Sequence, residues 1–526
     1  MNLKRGTCSI LATALALTAA SCKVGPNYIA PSAKVAAQWS QNAALTNAAA
    51  PAGDAYWWRQ LGDPVLDELV QTAHRNNLSL QAAGVRVLEA RARLNKTIGN
   101  LFPQQQGVYG GVNYSRLSDG LTSRIPGIDP NFASDQILFA AEWEIDFWGK
   151  YRRGIESDRA AYLGSFAAYE DGLVTVTADV AATYVQIRTL EERLHVARRN
   201  AELQKESLRI ASAQFKAGET SERDVQQANT QLAQTEAQVP RLEECLSQTR
   251  NGLAVLLGET TEEVQRRLTT PRGIPVAPST IAAGIPHDLL RRRPDVRAAG
   301  FAAASKSALI GVARANMYPS FSLAGEFGFK GNNEGNSSLA DMFTWEGRAL
   351  NAGANFFFPI FNYGRLINQV RAQDAQFQEA VLNYQNTVLM AQQEVENGLA
   401  TFANEERAVA LLTQAANAAR RSTELAMIQY KGGQADYTTV LTAEQAQLAV
   451  EDALATAQGN VVQGLVGIYR ALGGGWELRE GGDLISEEVK AEMARRTNWG
   501  KLLEPAQHLP EQRVERSWPA TTSNQN

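Results

Sequence analysis

The sequence predicts an α+β chain in which two tandem copies of one unit each join a β-hairpin of membrane-crossing length to a hairpin of long helices. Three observations carry this: a motif set repeated at one offset, two proline-free windows with a heptad seam, and four segments that alternate apolar with polar residues. Ile145-Asp146-Phe147-Trp148-Gly149-Lys150 returns as Ile360-Phe361-Asn362-Tyr363-Gly364-Arg365. Phe215-Lys216-Ala217-Gly218 returns as Tyr430-Lys431-Gly432-Gly433, and Leu256-Leu257-Gly258 as Ala471-Leu472-Gly473, every pair 215 residues apart. Upstream, Leu101-Phe102-Pro103 answers Met317-Tyr318-Pro319 at 216, which places a one-residue slip between 103 and 145. Duplication without net insertion over such a span fits continuous elements held in fixed register.

The N-terminus comes first. Lys4 and Arg5 precede an apolar stretch, Ile10 to Ala20, too short to span a membrane, and Ala19-Ala20-Ser21 supply small residues before Cys22. This resembles a bacterial lipoprotein signal, whose removal leaves Cys22 as an acylated first residue; an ordinary cleaved secretory signal is the alternative. Cys8 then leaves with residues 1–21 and only Cys245 remains as a thiol, so packing rather than an internal disulfide must hold the exported chain. A net charge of -4 and a pI near 5.8 give no footprint for nucleic acid. No uninterrupted run of 18 apolar residues follows the signal, which excludes a helical membrane span.

The strands come next. Val108, Gly110, Val112 and Tyr114 alternate with small or polar residues, and Ile137, Phe139, Ala141, Trp143 and Ile145 alternate with a second face that ends in Glu142, Glu144 and Asp146. Copy two repeats this with Phe321, Leu323, Gly325, Phe327 and Phe329, then Leu350, Ala352, Ala354, Phe356 and Phe358. Segments of about 10 residues cross a bilayer when tilted. Their apolar faces have no sequence-adjacent cover, and an open sheet in lipid leaves unpaired backbone groups, so several chains must close a barrel, as a dimer, trimer or larger ring. Glu142, Glu144 and Asp146 then become candidate lumen-facing acids.

The helices follow. Val180, Tyr184, Ile187, Leu190, Leu194, Ala197, Ala201, Leu208, Ala211 and Phe215 form a seam of alternating four and three spacing, interrupted at Gln204. Val395, Leu399, Phe402, Val409, Leu412, Ala416, Ala419, Ala426 and Tyr430 keep that register in copy two. A helix from Lys150 to Lys216 is roughly 100 Å long. Each such helix stops at glycine, and a partner returns over Glu222 to Leu257 and Tyr437 to Leu472, which sets hairpin tips at 218–222 and 433–437. The expected plan is an anchored segment over 22–66, copy one over 67–258, a linker over 259–283, copy two over 284–473, and a tail over 474–526 that packs outside the helices.

Several motifs together resemble the TolC/OprM-type outer-membrane efflux proteins of the lipoprotein, NodT-like branch. They are Cys22-Lys23-Val24-Gly25-Pro26-Asn27-Tyr28, Trp57-Trp58 with Leu61-Gly62-Asp63-Pro64, Arg292-Arg293-Pro294-Asp295-Val296-Arg297-Ala298-Ala299, Gly311-Val312-Ala313-Arg314-Ala315 before Tyr318-Pro319-Ser320, and Ala471-Leu472-Gly473-Gly474-Gly475-Trp476. The resemblance implies a homotrimer whose four strands per protomer close a 12-stranded barrel, continued by a hollow periplasmic tube of helices. It implies a passive exit channel in outer-membrane lipid, without catalysis or cofactor, served by a periplasmic adaptor and an inner-membrane transporter of RND type. The exit duct of a type I secretion machine shares this architecture, and a structural coiled-coil envelope lipoprotein is the alternative from another class.

The resemblance also places carboxylates and their partners at the periplasmic constriction. Copy one offers Glu222, Arg223 and Asp224, with Asp224 at a position where relatives carry Asp; copy two offers Asp436 and Glu444. Thr439 and Thr442 stand where relatives often carry Asp. Lys216, Arg223 and Lys431 are the candidate counter-charges, and helix capping is the competing role for the acids. His74, His195, His287 and His508 lack ligand spacing, and no Walker loop, HExxH or Gly-x-Ser-x-Gly occurs, so neither a metal site nor a hydrolase is expected.

Overall fold

The computed structural model describes residues 23–36, 39, 55–118, 130–270, 272–278, 292–333, 338–476 and 483–504. In copy one, α1 (Pro64–Asn76) starts at Asp63, whose carboxylate accepts the Val65 amide at 2.9 Å, with proline at the first helical position. Asn77 ends α1 and caps α2 (Leu78–Gly99) by accepting the Leu80 amide at 2.9 Å. Then follow β1 (Gln105–Arg116), β2 (Asn131–Ile145), α3 (Lys150–Ala217), α4 (Glu222–Leu257) and the short α5 (Thr261–Arg267). Copy two gives α6 (Pro294–Ala315), β3 (Ser320–Asn332), β4 (Arg348–Phe357), α7 (Arg365–Lys431) and α8 (Tyr437–Ala471).

The 68 residues of α3 and the 67 of α7 run without proline, each about 100 Å long. Gly218 closes α3 in the left-handed conformation at φ 78°, where a side chain is strained. Gly258 closes α4 in the same way, and there a second constraint acts: a Cβ would fall 2.4 Å from the Asn76 carbonyl oxygen. The corner between α1 and α2 therefore sits directly on the end of α4, and Asn77 adds a hydrogen bond from Nδ2 to the Leu256 carbonyl at 2.8 Å.

The seam of α3 is buried at Val180, Tyr184, Ile187, Leu190, Leu194, Ala197, Ala201 and Ala211, but Phe215 at its end is 43% exposed. Gln204, the apparent break, is itself buried, so the stripe continues through a polar side chain. Helix α3 packs on α1, α2, α4, α6 and α8, whereas the main helix partners of α7 are α6 and α8. That difference explains why α7 leaves Leu382, Leu389, Met390, Leu411 and Ile428 in the open. The copies interlock rather than sit side by side: β2 pairs with β3, and α3 of copy one packs on α6 and α8 of copy two.

The sheet order is β1-β2-β3-β4, antiparallel throughout, with β1 and β4 as its two edges. Beyond copy two, Leu484, Ile485 and Met493 of α9 (Glu487–Arg496) and the turn before it pack with Leu80, Leu88, Tyr162 and Tyr169 of α2 and α3. Gly84 makes this docking possible, since a Cβ there would meet the Leu484 carbonyl oxygen at 2.2 Å.

Candidate functional site: strand bowl, junction and hairpin tips

The register sorts the sheet into two chemically distinct faces. Val108, Val112, Tyr114, Ile137, Phe139, Trp143, Phe321, Leu323, Phe327, Leu350 and Phe356 share one face and are all at least a third exposed. Eleven large apolar side chains in the open on one face of one sheet demand a nonaqueous partner. The opposite face lines a hollow with Gln105, Tyr109, Gln136, Glu142, Glu326, Asn351 and Asn355. Apolar outside and polar inside is the alternation of a barrel wall in lipid.

Of the three acids expected on the polar face, Glu142 lies in that hollow, while Glu144 and Asp146 are engaged at the junction with α3. Glu144 pairs with Lys150 at 3.0 Å and accepts the Tyr151 hydroxyl at 2.8 Å. Asp146 accepts the backbone amides of Tyr151 and Arg152 and the Arg152 Nε, each at 3.0 Å. The cause is local: Gly149 at the cap position of α3 has no side chain to receive the first amides, so Asp146 does so from the preceding turn.

Cys22 lies outside the described residues, but the segment that follows it is closely held. The Val24 amide donates to the Trp148 carbonyl at 3.1 Å, and Lys23 pairs with Glu156 at 2.5 Å. Arg153, only 1% exposed, donates to the Val24 carbonyl, the Gly25 carbonyl and Asn27 Oδ1, each at 3.0 Å. Gly25 takes φ +94° and touches the backbone of Gly311, where its Cβ would come within 2.4 Å of the Gly311 Cα. The strap then runs on across copy two, with Tyr28 donating to the Gly300 carbonyl at 3.1 Å and Gln392 bonding Lys34 and Ala36. No sequence pattern distinguished Arg153 from the neighbouring surface arginines.

At the other end, the tips treat their acids differently. Asp224 is 5% exposed and is held by the Thr220 hydroxyl, by Ser221 at 3.3 Å and by Arg223 at 3.4 Å, all within its own turn. Beside it, Tyr430 and Tyr437 of the copy-two hairpin meet edge to face at 5.4 Å within a small apolar cluster that includes Ala228 and Val440. Burial pushes the Tyr437 hydroxyl well above the usual tyrosine range, with Glu444, Tyr430 and Asp224 adding to it. Asp436 is exposed and caps α8, accepting the Thr439 amide at 3.2 Å and hydroxyl at 3.1 Å. Glu222 is an exposed first-turn residue of α4 that accepts Gln226 at 3.4 Å.

Glu444 does not stand at the tip surface. It is 3% exposed between α8 and α3, bonded by the Ser207 hydroxyl with Oε2 left unbonded, and burial raises its pKa. Two turns up α8, Glu451 is 2% exposed, accepts Asn200 at 2.8 Å and Arg420 at 2.5 Å, and forms an ion pair with Arg199 at 2.7 Å. Sequence reasoning missed this second cluster. Its signal was present, because Tyr437, Val440, Glu444, Gln447 and Glu451 keep seam spacing on α8 and so put two carboxylates where apolar residues belong. Among the described residues no group of three or more His, Cys, Asp or Glu side chains is arranged to hold a metal ion.

A sheet dressed for lipid on one face and continued by helices of about 100 Å defines an outer-membrane channel protein. Residues 69–259 and 285–474 each match the family model described as outer membrane efflux protein, and the chain belongs to that family. It is 30% identical over 487 residues to the pyoverdine export outer membrane protein OpmQ of Pseudomonas putida, covering 91% of this chain and 99% of the relative. It is 28% identical to nodulation protein T of Rhizobium leguminosarum, covering 89% and 93% respectively. Among solved structures, the outer-membrane channel OprN superposes with a TM-score of 0.79 at 31% identity, covering 87% of this chain and all of that one. The fold is thus that of the trimeric outer-membrane efflux channels, four strands per chain, with β1 and β4 closing the barrel between protomers.

Proposed function

We propose that this chain is the passive exit duct of a tripartite efflux assembly, carrying small toxic molecules from the periplasm-spanning complex to the exterior. The observation that carries it is the direct continuation of a lipid-dressed sheet into paired helices about 100 Å long, which joins membrane and periplasm in one conduit. Relatives named for pyoverdine export, toluene efflux and antibiotic efflux support the cargo class. A periplasmic adaptor reaches the hairpin tips and an inner-membrane RND-type transporter supplies energy and selection; the chain itself catalyses nothing. Asp224, with Arg223 beside it, is the principal gate residue of the closed end, and Glu142 faces the lumen. Deleting the gene is expected to sensitise cells to part of a panel of drugs, metals and solvents, and the purified trimer to conduct ions in planar bilayers. Unchanged susceptibility together with no conductance overturns the duct.

Residues 1–21 are the export signal and Cys22 is the acylated residue of the strap. Support comes from Lys23 and Val24, which lie against Trp148 and Gly149 at the lower end of the sheet, so a lipid on Cys22 starts at the membrane surface. Cys22→Ser is expected to abolish metabolic lipid labelling while the barrel still inserts, because strands rather than the anchor hold it in the bilayer. Persistent labelling refutes the assignment.

A further inference from the structure

Two arginines end the lipid-facing rows of the two edge strands, at the rim opposite the helices. Arg116 follows Val108, Gly110, Val112 and Tyr114 in steps of two along β1, and all of these residues are exposed. Arg348 begins the row of Leu350 and Phe356 on β4 and lies opposite Phe329. Since β2 and β4 lead into α3 and α7 at their other ends, both arginines stand at the exterior end of the barrel. Barrel closure brings β4 of one protomer beside β1 of the next, which gathers Arg348 of one copy and Arg116 of the other at one boundary.

Among the described residues no carboxylate pairs with Arg116 or Arg348. Lys330, on the opposite face at the same rim, is paired with Glu326 at 3.1 Å, so among the described residues the rim cations without a carboxylate partner lie on the lipid side. Arg348 is instead held over the Trp345 ring at 5.0 Å and donates to the Trp345 carbonyl at 2.6 Å. Trp345 is 64% and Phe343 79% exposed beside it. Aromatic rings with one wet edge settle at headgroup depth, and a planar guanidinium fork matches phosphate oxygens in pairs.

We propose that Arg116 and Arg348 of adjacent protomers, with Trp345, form a binding site for the phosphate groups of an anionic lipid headgroup in the outer leaflet, one at each protomer boundary. A diphosphorylated glycolipid fits best, because two guanidiniums from separate chains meet two phosphates on one molecule. The site rests on the outer-membrane channel function above. It gives the barrel a lipid-borne clasp across each seam between chains.

The test uses full-length trimer in detergent, titrated separately with lipid A, phosphatidylethanolamine and inorganic phosphate, and read by native mass spectrometry and by the temperature at which the trimer dissociates. Lipid A is expected to bind and to raise that temperature, whereas phosphatidylethanolamine and inorganic phosphate do neither. The double variant R116Q/R348Q is expected to weaken lipid A binding roughly tenfold or more, with the double Lys variant intermediate because it keeps the charge and loses the fork. Equal binding by the parent and the double Gln variant overturns the site, and so does inorganic phosphate binding as tightly as lipid A. Conductance separates the two levels: a parent that forms no conducting trimer overturns the channel as well, whereas conducting trimers indifferent to the substitutions overturn the lipid site alone.

Discussion

Replacing Glu451 by Ala is expected to destabilise the helical tube by about 3 kcal/mol per protomer, near the lower end of what removing one partner of a buried ion pair costs. The carboxylate is 2% exposed and joins three helices: Asn200 and Arg199 reach it from α3 and Arg420 from α7, while Glu451 itself rides on α8. Without it the Asn200 amide loses its copy-two acceptor and two guanidiniums lose their counter-charge. The loss is held to the lower end because the side chains of Arg199 and Arg420 are 39% and 45% exposed and can turn to water. Glu451→Gln keeps an acceptor for Asn200 and removes only the charge, so it is expected to fall between Ala and the parent. The measurement is the dissociation temperature of the detergent-solubilised trimer, and an Ala variant that melts with the parent shows the cluster to be idle.

The same residue predicts a pH dependence. Burial raises the Glu451 pKa, but the hydrogen bonds from Asn200, Arg199 and Arg420 outweigh it and hold the carboxyl below its ordinary value of 4.5. A depressed folded-state pKa contributes stability that is present above the unfolded value and is lost as the pH falls through the folded one. The parent is therefore expected to loosen in acid, below about 4.5, and the Ala variant to lose that part of its acid sensitivity. Glu444 has the opposite sign. Its raised pKa favours folding while the group is protonated, and that contribution disappears as the pH rises through the folded value. Two carboxylates on one helix face thus pull the tube's stability in opposite directions.

Most of the architecture was legible because long elements impose their period on the sequence. The heptad seam of Val180 to Ala211 marked α3, whose ends fall within a residue of Lys150 and Lys216, and the alternation of Ile137 to Ile145 found the end of β2, which starts six residues earlier at Asn131. What the period does not encode is which neighbour lies behind each position. Gln204 looked like a break and is buried; Phe215 looked like seam and is exposed, because α3 ends two residues later. Glu144 and Asp146 looked like wall residues and serve the start of α3, a role set by the missing side chain at Gly149. Arg153 was invisible for a further reason: its partners, Val24, Gly25 and Asn27, are about 126 to 129 residues away and offer mostly backbone carbonyls. The gate candidates came from family resemblance, and the local turn chemistry now separates them.

Asp224→Ala is expected to raise single-channel conductance severalfold and to sensitise cells to large antibiotics, whereas Asp436→Ala alone is expected to do neither. Asp436 is an exposed cap on α8 whose hydrogen bonds, among the described residues, go to Thr439 of its own turn, and losing it costs the helix about 1 kcal/mol. Asp224 is buried, ties Thr220, Ser221 and Arg223 into one turn, and stands close enough to Tyr430 and Tyr437 for its charge to help raise both of their pKa values. Its turn therefore fixes how the copy-one tip leans on the tyrosine pair of copy two. Without the carboxylate, Arg223 and Thr220 are released, and the contact between the tips keeps only its apolar part, Ala228 against the cluster of Tyr430, Tyr437 and Val440. In the proposed duct, threefold symmetry repeats the loss at each protomer around the tip end of the tube, so a small local loosening multiplies into a wider aperture. Asp224→Asn, which keeps an acceptor for Thr220 and removes the charge, distinguishes hydrogen bonding from ion pairing: parent-like conductance assigns closure to the turn, and Ala-like conductance assigns it to the pair with Arg223. A trimer of normal heat resistance that conducts like the parent with Ala at 224 reduces Asp224 to a turn residue and removes it from the gate.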